Sequence, residues 1–422
     1  MRKDTICVQG AYKPKNGEPR VIPIVQSTTF KYDSSQEMGD LFDLKKSGYF
    51  YSRLQNPTCD LAAAKIAMLE GGVAGMLTSS GQAANFYAVF NIASAGDHVV
   101  SSAAIYGGTF NLFNVTMRKL GIDFTFVPPT ASEEEIQAAI QPNTKCIFGE
   151  TISNPSLDIM DIETFAKVAH KNGIPLIIDN TFATPINCRP FEFGCDIVTH
   201  STTKYMEGHA STIGGAIVDS GKFDWEQNDK FPGLTTPDES YHGLTYTKDF
   251  GEAAYITKAT AQLMRDLGSI PAANNAWLLN LGLETLHLRM PRHCENAKKV
   301  AEYLKNNEKI TWVKCAMLDD DSQHEIAMKY MPNGTCGVVS FGIKGGREAA
   351  TVFMDSLKLA AIVTHVADAR TCCLHPASTT HRQLTDKELE ECGVTPDLLR
   401  FSCGIEDADD IIEDIQQALD KI

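Results

Sequence analysis

An aspartate and a lysine near the ends of two successive apolar runs could act together chemically. Asp179 follows the run 174–178, and Lys204 comes shortly after the run 194–198. The chain between them is long enough for a strand, a crossover and a second strand. A lysine amine can bond covalently to the aldehyde of pyridoxal phosphate (PLP), and a carboxylate can keep the pyridine nitrogen protonated so that the ring accepts electrons. Alone, each residue would be an ordinary helix cap or a surface charge, but the pair indicates a PLP site.

Two segments could bind the phosphate of such a cofactor. Ser201 and Thr203 offer hydroxyl groups just before the lysine. The segment 79–83 joins a predicted strand to a predicted helix, and Gly81 would let an anion approach the amides of the helix N-terminus. An ordinary helix cap is the alternative for 79–83 taken alone. The sequence has no GxGxxG after the first strand and no GxxxxGK[ST], so dinucleotide and nucleoside-triphosphate sites lack support.

Three more side chains suit a site for a planar anionic cofactor and an amino-acid substrate. Tyr106 lies in a glycine-bounded loop and could stack on a ring, although a turn or core tyrosine is the common alternative. Arg53 ends an aromatic segment and has the fork geometry that suits phosphate. Arg400 lies within the apolar run 398–402, where a lone charge is costly. Either a substrate carboxylate or a structural salt bridge could satisfy Arg400.

A metal site is not expected. Two histidines and two vicinal cysteines occur close together, but none of them has the spacing of zinc ligands. These residues are Cys372, Cys373, His375 and His381.

The elements that must position these residues alternate between short apolar strands and helices from about residue 61. Such alternation predicts an α/β fold with a mostly parallel sheet covered on both faces, whose sites form at the carboxyl ends of the strands. We expect an N-terminal arm over 1–60 that contacts a neighbouring subunit, a large α/β domain over 61–279 and a smaller α/β domain over 280–422. A long irregular loop is expected over 226–250. Predicted strands fall at 75–78, 98–100, 124–127, 145–148, 176–178, 197–198, 337–343, 359–363 and 399–402.

Bulk composition narrows the function classes. The net charge of the 422 residues is −15, which argues against binding nucleic acid or an anionic membrane surface. The 12 cysteines are scattered and form no CxxC, a pattern typical of reduced thiols. No run is apolar and long enough to span a bilayer or act as a signal core, so we expect a cytoplasmic protein.

Together these motifs resemble the Cys/Met metabolism family of PLP-dependent enzymes, which have the aspartate-aminotransferase fold (fold type I). The resemblance extends over almost the whole chain. It is carried by the segments 51–58, 80–84, 106–109, 179–184, 201–209, 375–384 and 400–406.

The resemblance implies a role for each matching residue. Lys204 holds the cofactor and moves protons, Asp179 pairs with the pyridinium, and Tyr106 stacks on the ring. Arg400 binds the substrate carboxylate, helped from the region of Thr371. The remaining implied cofactor-binding residues are Gly81, Gln82, Ser201, Thr203 and Asn154, together with Tyr51 and Arg53 from a neighbouring subunit. Tyr51 is also implied to contact the substrate.

Three further segments, 231–243, 265–268 and 282–289, resemble the branch of the family that performs γ-replacement on O-acetyl-L-homoserine. With sulfide or methanethiol this reaction gives homocysteine or methionine, and acetate. The family implies a tetramer built of dimers with shared sites, and the sulfur donor could be a carrier protein. Methionine γ-lyase and cystathionine γ-synthase or γ-lyase activities are alternatives, although methionine γ-lyases have a cysteine where this chain has Gly108. A PLP-fold protein that only binds ligand and a binding module without PLP are more distant alternatives.

Overall fold

A seven-stranded sheet forms the centre of the computed structural model, which describes residues 1–379 and 395–422. Its strands are β1 Ala74–Thr78, β2 His98–Ser102, β3 Asp123–Val127, β4 Thr144–Glu150, β5 Leu176–Asp179, β6 Ile197–His200 and β7 Gly215–Asp219. Across the sheet they follow the order β1-β7-β6-β5-β4-β2-β3. From β3 to β6 neighbouring strands are parallel, whereas β7 is antiparallel to both β6 and β1. The prediction of a mostly parallel sheet is confirmed.

A second sheet of five strands belongs to the C-terminal part of the chain. Its strands are β8 Ile310–Lys314, β9 Val338–Ile343, β10 Ala361–Ile362, β11 Cys372–Leu374 and β12 Leu398–Ser402. Their order is β10-β11-β12-β9-β8, and within this sheet β10 and β11 pair in parallel while the other pairs are antiparallel.

Helices cover both sheets. They are α1 Lys3–Gln9, α2 Ser35–Phe42, α3 Pro57–Glu70, α4 Gly81–Phe90, α5 Gly107–Asn111, α6 Glu133–Ala139, α7 Ile162–Lys171, α8 Thr184–Asn187, α9 Pro232–Thr235, α10 Tyr246–Phe250, α11 Ala254–Lys258, α12 Arg265–Leu267, α13 Ala273–Glu284, α14 Leu286–Lys305, α15 His324–Tyr330, α16 Gly346–Ser356 and α17 Ala408–Leu419. Among the described helices, none is long and apolar enough to cross a membrane.

Local sequence explains why the elements next to the site begin and end where they do. Every residue of β5 and β6 is buried. Helices cover both faces of these strands, so residues 176–178 and 197–198 are apolar, and polar side chains appear only at the carboxyl ends. At the start of α4 the Ser80 hydroxyl accepts a hydrogen bond from the backbone N–H of Ala83 at 3.1 Å. At the start of α3 the Asn56 side chain accepts one from the backbone N–H of Thr58 at 3.0 Å. Gly71 ends α3 with a φ of +84°, which is the left-handed conformation that favours glycine.

Within residues 1–379 and 395–422, the buried hydrophobic side chains form two clusters that meet within α14. Leu286 and Met290, in the first half of this helix, belong to the cluster around the large sheet, whereas Val300 and Leu304 belong to the cluster around the small sheet. The predicted division into 61–279 and 280–422 stays a prediction.

The structure differs from the sequence-based expectations in two segments. The predicted N-terminal arm, expected to contact a neighbouring subunit, begins with α1, whose Ile6 and Cys7 are buried against the chain's own core. The expected irregular loop 226–250 contains α9 and α10 and buries Phe231 and Tyr246. Short helices of four or five residues leave too weak a periodicity to be seen in sequence.

His381 and part of the segment 375–384 lie outside the described residues, as does Cys392. The described cysteines are all buried free thiols. Within the described ranges, no group of His, Cys, Asp and Glu side chains could hold a metal ion.

Candidate active site

The carboxyl ends of β4, β5 and β6 bring the first group of polar residues together. Asp179 ends β5 and lies between Glu150 of β4 and Thr199 of β6 in the strand register. Lys204 follows in the turn after β6, so the two residues that suggested a PLP site lie at the same edge of the sheet. This edge is where α/β sheets form their sites.

Asp179 is held by hydrogen bonds that leave it buried and oriented. Its Oδ2 accepts from Asn85 Nδ2 at 3.1 Å, and its Oδ1 accepts from the backbone N–H of Thr181 at 3.1 Å and also from the Thr181 hydroxyl. Asn85 is itself fixed, because its Oδ1 accepts from Thr199 Oγ1 at 2.6 Å. These bonds fix the position of the Asp179 carboxyl group at the edge of the sheet where Lys204 also lies.

Glu150 is a second buried carboxyl group at this edge. Its Oε1 accepts a hydrogen bond from the backbone N–H of Tyr106 at 2.7 Å. Burial raises the pKa of Glu150 well above its usual value, and the neighbouring Asp179 raises it further. Burial at this edge therefore favours the protonated, uncharged form of Glu150.

Lys204 has an amine that is prepared for covalent chemistry. Burial, and then the charge of the nearby Arg400 guanidinium, lower the pKa of Lys204 to about 8. The Lys204 Nζ lies 3.4 Å from His365 Nδ1. With this pKa about a tenth of the amine is neutral at pH 7, against about one part in 3,000 at the ordinary value.

A low lysine pKa is not by itself evidence of function, as Lys258 shows. Burial lowers the pKa of Lys258 to about 8 as well. Its Nζ, however, donates to the backbone oxygen of Asn91 at 2.7 Å and to Asn91 Oδ1 at 3.3 Å. Lys258 thus satisfies buried carbonyl oxygens, whereas Lys204 lies among polar groups of several elements.

The loop before α4 and the loop after β6 touch at Gly81 and Ser201. A Cβ added to Gly81 would lie 2.6 Å from Ser201 Cβ and 2.9 Å from its Cα, so no larger residue fits without a shift. Gly81 begins α4, whose free N–H groups suit an anion. Gln82, the next residue, accepts from Thr109 Oγ1 at 3.1 Å, and this links the loop to the segment that carries Tyr106. Tyr106 is about half exposed.

Arg400, in β12 of the small sheet, connects this site to the C-terminal part of the chain. Its Nη1 donates to Asn154 Oδ1 at 3.2 Å, and its Nη2 donates to the backbone oxygens of His365 at 3.0 Å and Thr364 at 3.3 Å. Burial lowers the pKa of Arg400. Its Nε is buried and has no hydrogen-bond partner among the described residues.

The buried Arg289 shows what a structural arginine looks like in this protein. Its Nη1 donates to the Tyr205 oxygen at 2.7 Å, its Nη2 to the Gly282 oxygen at 2.7 Å, and its Nε to Thr285 Oγ1 at 3.2 Å. All three nitrogens of Arg289 are satisfied by the protein. Arg400, in contrast, keeps an unused donor and forms no ion pair with a carboxylate within the described ranges, which favours a ligand carboxylate over a structural salt bridge.

Four predicted site residues have other partners in this structure. The Thr371 hydroxyl donates to Glu406 Oε2 at 2.8 Å and accepts from the Gly404 backbone at 2.9 Å. The Thr203 hydroxyl exchanges hydrogen bonds of 3.1 Å with the backbone N–H and oxygen of Gly214. Tyr51 and Arg53 lie against each other, with the guanidinium carbon 5.2 Å from the ring centre.

Sequence reasoning missed Asn85, Glu150 and His365. Asn85 lies in the middle of α4, and a weak helix former inside a helix is a poor signal of function. Its burial, which marks it as unusual, is seen only in the structure. Glu150 ends an apolar run in the same way as Asp179 does, and this was the available signal. His365 lies in the loop between β10 and β11, and nothing in its neighbourhood in the sequence links it to Lys204.

The residues present fit PLP. The site offers a partly neutral lysine amine, a carboxylate held by an amide, a glycine at a helix N-terminus and an arginine with a free donor. These match the aldehyde, the pyridine nitrogen and the phosphate of the cofactor, and the carboxylate of an amino acid. The model of the Cys/Met metabolism PLP-dependent enzymes matches residues 4–420 of the chain.

The chain belongs to this family.

It is therefore a PLP-dependent enzyme of fold type I. It is 46% identical over 403 residues to homocysteine synthase of Schizosaccharomyces pombe, and the matched region covers 95% of this chain and 94% of that protein. It is 47% identical over 405 residues to O-acetyl-L-homoserine sulfhydrylase of Corynebacterium glutamicum, and here the matched region covers 94% of this chain and 92% of that protein. A crystal structure assigned to an O-acetylhomoserine (thiol)-lyase of Campylobacter jejuni matches with a TM-score of 0.96 at 37% identity, over 100% of both chains. That structure carries N'-pyridoxyl-lysine-5'-monophosphate at its position 205.

Proposed function

We propose that the enzyme catalyses γ-replacement on O-acetyl-L-homoserine, in which sulfide or methanethiol displaces acetate to give homocysteine or methionine. The names of the relatives support the acetyl and sulfur parts of this proposal. The observation that carries the amino-acid part is the unused buried Nε of Arg400. Arg400 and Lys204 both contact His365, so a substrate whose carboxylate meets Arg400 would bring its α-carbon near the lysine amine.

Each residue of the site would have one physical task. Lys204 would hold the cofactor covalently and, when free, would take and return protons at Cα and Cβ of the substrate. Asp179, fixed by Asn85, would keep the ring nitrogen protonated. When bound, PLP supplies an electron sink for the negative charge that develops on the substrate. Tyr106 would cover the ring, and Asn154 would orient Arg400 through their hydrogen bond.

The phosphate would lie between the two loops that meet at Gly81 and Ser201. The N–H groups at the start of α4 and the side chains of Gln82 and Ser201 would donate to it. Thr203 would contribute through its backbone or by exchanging its partner Gly214 for the phosphate. Thr371 would act on the substrate indirectly, by holding β11 beside β12.

Product analysis tests this function. The purified PLP-loaded enzyme is incubated with O-acetylhomoserine, with and without sulfide, while homocysteine, acetate and ammonia are followed together. We expect homocysteine and acetate only with sulfide, and little ammonia. Ammonia and a keto acid without sulfide would instead assign the enzyme to the γ-lyases, and cystathionine formed from added cysteine would assign it to the cystathionine synthases. The Lys204→Ala variant should make no product, and full activity in that variant would refute the assignment of the lysine.

We further propose that the enzyme is a homotetramer built of two dimers, in which Tyr51 and Arg53 complete the site of a neighbouring subunit. Apolar side chains of the N-terminal arm support this, because Val21, Phe42 and Tyr51 are about half exposed in the single chain. Mixing inactive Lys204→Ala with inactive Arg53→Ala subunits should restore activity in hybrids, since one shared site then has both residues. A fully active monomer would contradict shared sites.

A further inference from the structure

A row of three side chains across the small sheet contacts the loop 154–158, which follows β4 of the large sheet. Arg400 of β12 lies directly opposite Ser340 of β9, and Ser340 lies opposite Lys314 of β8. Residues directly opposite each other in a sheet project from the same face, so the three side chains form one row, which we call the cross-strand row. The row extends from the arginine that favours a ligand carboxylate to the edge strand of the small sheet.

The two inner members of the cross-strand row hold consecutive residues of the loop. Arg400 Nη1 donates to Asn154 Oδ1 at 3.2 Å, and the Ser340 hydroxyl donates to the backbone oxygen of Pro155 at 2.8 Å. Ser340 is fully buried, and losing a buried hydrogen-bond donor leaves its acceptor without a partner, which is costly. Because Asn154 precedes Pro155 directly, a shift of Pro155 also moves the amide that contacts the guanidinium.

The outer member of the cross-strand row holds the far end of the loop less strongly. Lys314 Nζ lies 2.5 Å from Asp158 Oδ1, and the two side chains are 29% and 26% exposed. Water screens an ion pair that is exposed to this degree, so the pair contributes less than a buried hydrogen bond. We therefore expect the loop to depend more on Ser340 than on Lys314.

We propose that Ser340 is a positioning residue of the substrate site, supported by Lys314, and that the row sets the preference for an amino acid over a simple amine. The inference rests on the proposed function, in which Arg400 binds the substrate carboxylate. Protein oxygens hold both terminal nitrogens of the guanidinium, and this fixes the direction of the free Nε. Ser340 acts on Nε through Asn154, so it affects binding of the carboxylate and not of the amine.

The affinity of the PLP-loaded enzyme for two probes tests the proposal. L-Norvaline has the α-carboxylate but no leaving group, and 1-butylamine is the same molecule with hydrogen in place of the carboxylate. Titration calorimetry gives the Kd of each. In Ser340→Ala we expect the Kd for norvaline to rise about tenfold and the Kd for butylamine to change by about twofold at most. In Lys314→Met the Kd for norvaline should rise about threefold, with the same small change for butylamine.

Two matched variants control for the loss of a hydroxyl and of an ion pair elsewhere. Ser220→Ala changes another buried serine, whose hydroxyl accepts from the Lys222 N–H at 3.1 Å, beyond the end of β7 that pairs with the start of β6. Lys299→Met removes an ion pair of 2.9 Å with Glu295 on α14. Neither variant should change either Kd by more than about twofold. Melting temperatures of all four variants separate a loss of stability from a loss of carboxylate binding.

The ratio of the two Kd values decides the outcome. Equal losses of affinity for both probes in Ser340→Ala, or an unaltered Kd for norvaline, would overturn the proposal. A wild-type enzyme that bound butylamine as tightly as norvaline would overturn the carboxylate role of Arg400 and this proposal together. Failure of the proposed γ-replacement is seen separately, as the absence of homocysteine in the product analysis.

Discussion

Replacement of Arg400 by lysine keeps the charge of this side chain but removes the planar fork. In the wild-type protein, three hydrogen bonds to Asn154, His365 and Thr364 fix the Arg400 guanidinium, and its Nε remains free for a carboxylate. A single ammonium cannot replace two parallel donors. Truncating one partner of a buried charged pair costs about 2–5 kcal/mol. We place Arg400→Lys at the lower end, about 2–3 kcal/mol, which is a loss of roughly 30-fold to 150-fold in kcat/KM for O-acetylhomoserine. Arg400→Met should lie at the upper end.

The assay is steady-state turnover with sulfide held at saturation, together with the visible absorbance of bound PLP. The cofactor absorbance should be retained, because Arg400 acts on the substrate and not on the phosphate. Arg292→Lys is the matched control, since Arg292 is partly exposed and donates to the Glu406 backbone at 3.2 Å, and it should change kcat/KM by about twofold at most. An Arg400→Lys enzyme with at least half of the wild-type kcat/KM would refute the reasoning. A loss of kcat/KM that equals the loss of bound PLP would refute it as well.

Three other predictions concern the cofactor. Asp179→Asn should fold normally but lose about 100-fold or more in kcat, because a neutral amide cannot hold the ring nitrogen protonated; near-normal turnover would contradict the role given to Asp179. Gly81→Ala should weaken PLP affinity about tenfold or more in a cofactor titration, because its Cβ would lie 2.6 Å from Ser201 Cβ, and unchanged affinity would show that the two loops do not hold the phosphate. The rate of PLP uptake by the cofactor-free protein should rise with pH up to about 8 and then level off, because only neutral Lys204 attacks the aldehyde and its pKa is lowered to about 8. A rate that still increased up to pH 10 would indicate a lysine with an ordinary pKa.

The residues that sequence alone could predict are those tied to strand ends. Asp179 and Lys204 follow apolar runs, and the rule that parallel sheets form sites at their carboxyl ends places them together. Strand β7 escaped prediction because Ile217 and Val218 form a very short apolar run beside Gly214 and Gly215. Its antiparallel direction could not be deduced from the alternation of elements either.

The rest of the site depends on contacts between distant segments. His365 reaches Lys204 across 161 positions of the chain, and Arg400 reaches Asn154 across 246. No local periodicity or sequence motif predicts such a contact between distant segments. The hydrogen-bond partners of Thr371 could not be predicted from the sequence either, because its hydroxyl donates to Glu406, a residue of the loop after β12.

The account depends on Lys204 being the lysine that holds PLP, and reduction of the loaded enzyme with borohydride tests this directly. Reduction fixes the cofactor to its lysine, and mass spectrometry of the proteolytic peptides then locates the pyridoxyl group. We predict the modification on Lys204. Modification of Lys258, the other lysine within the described residues whose pKa is lowered to about 8, would contradict the account.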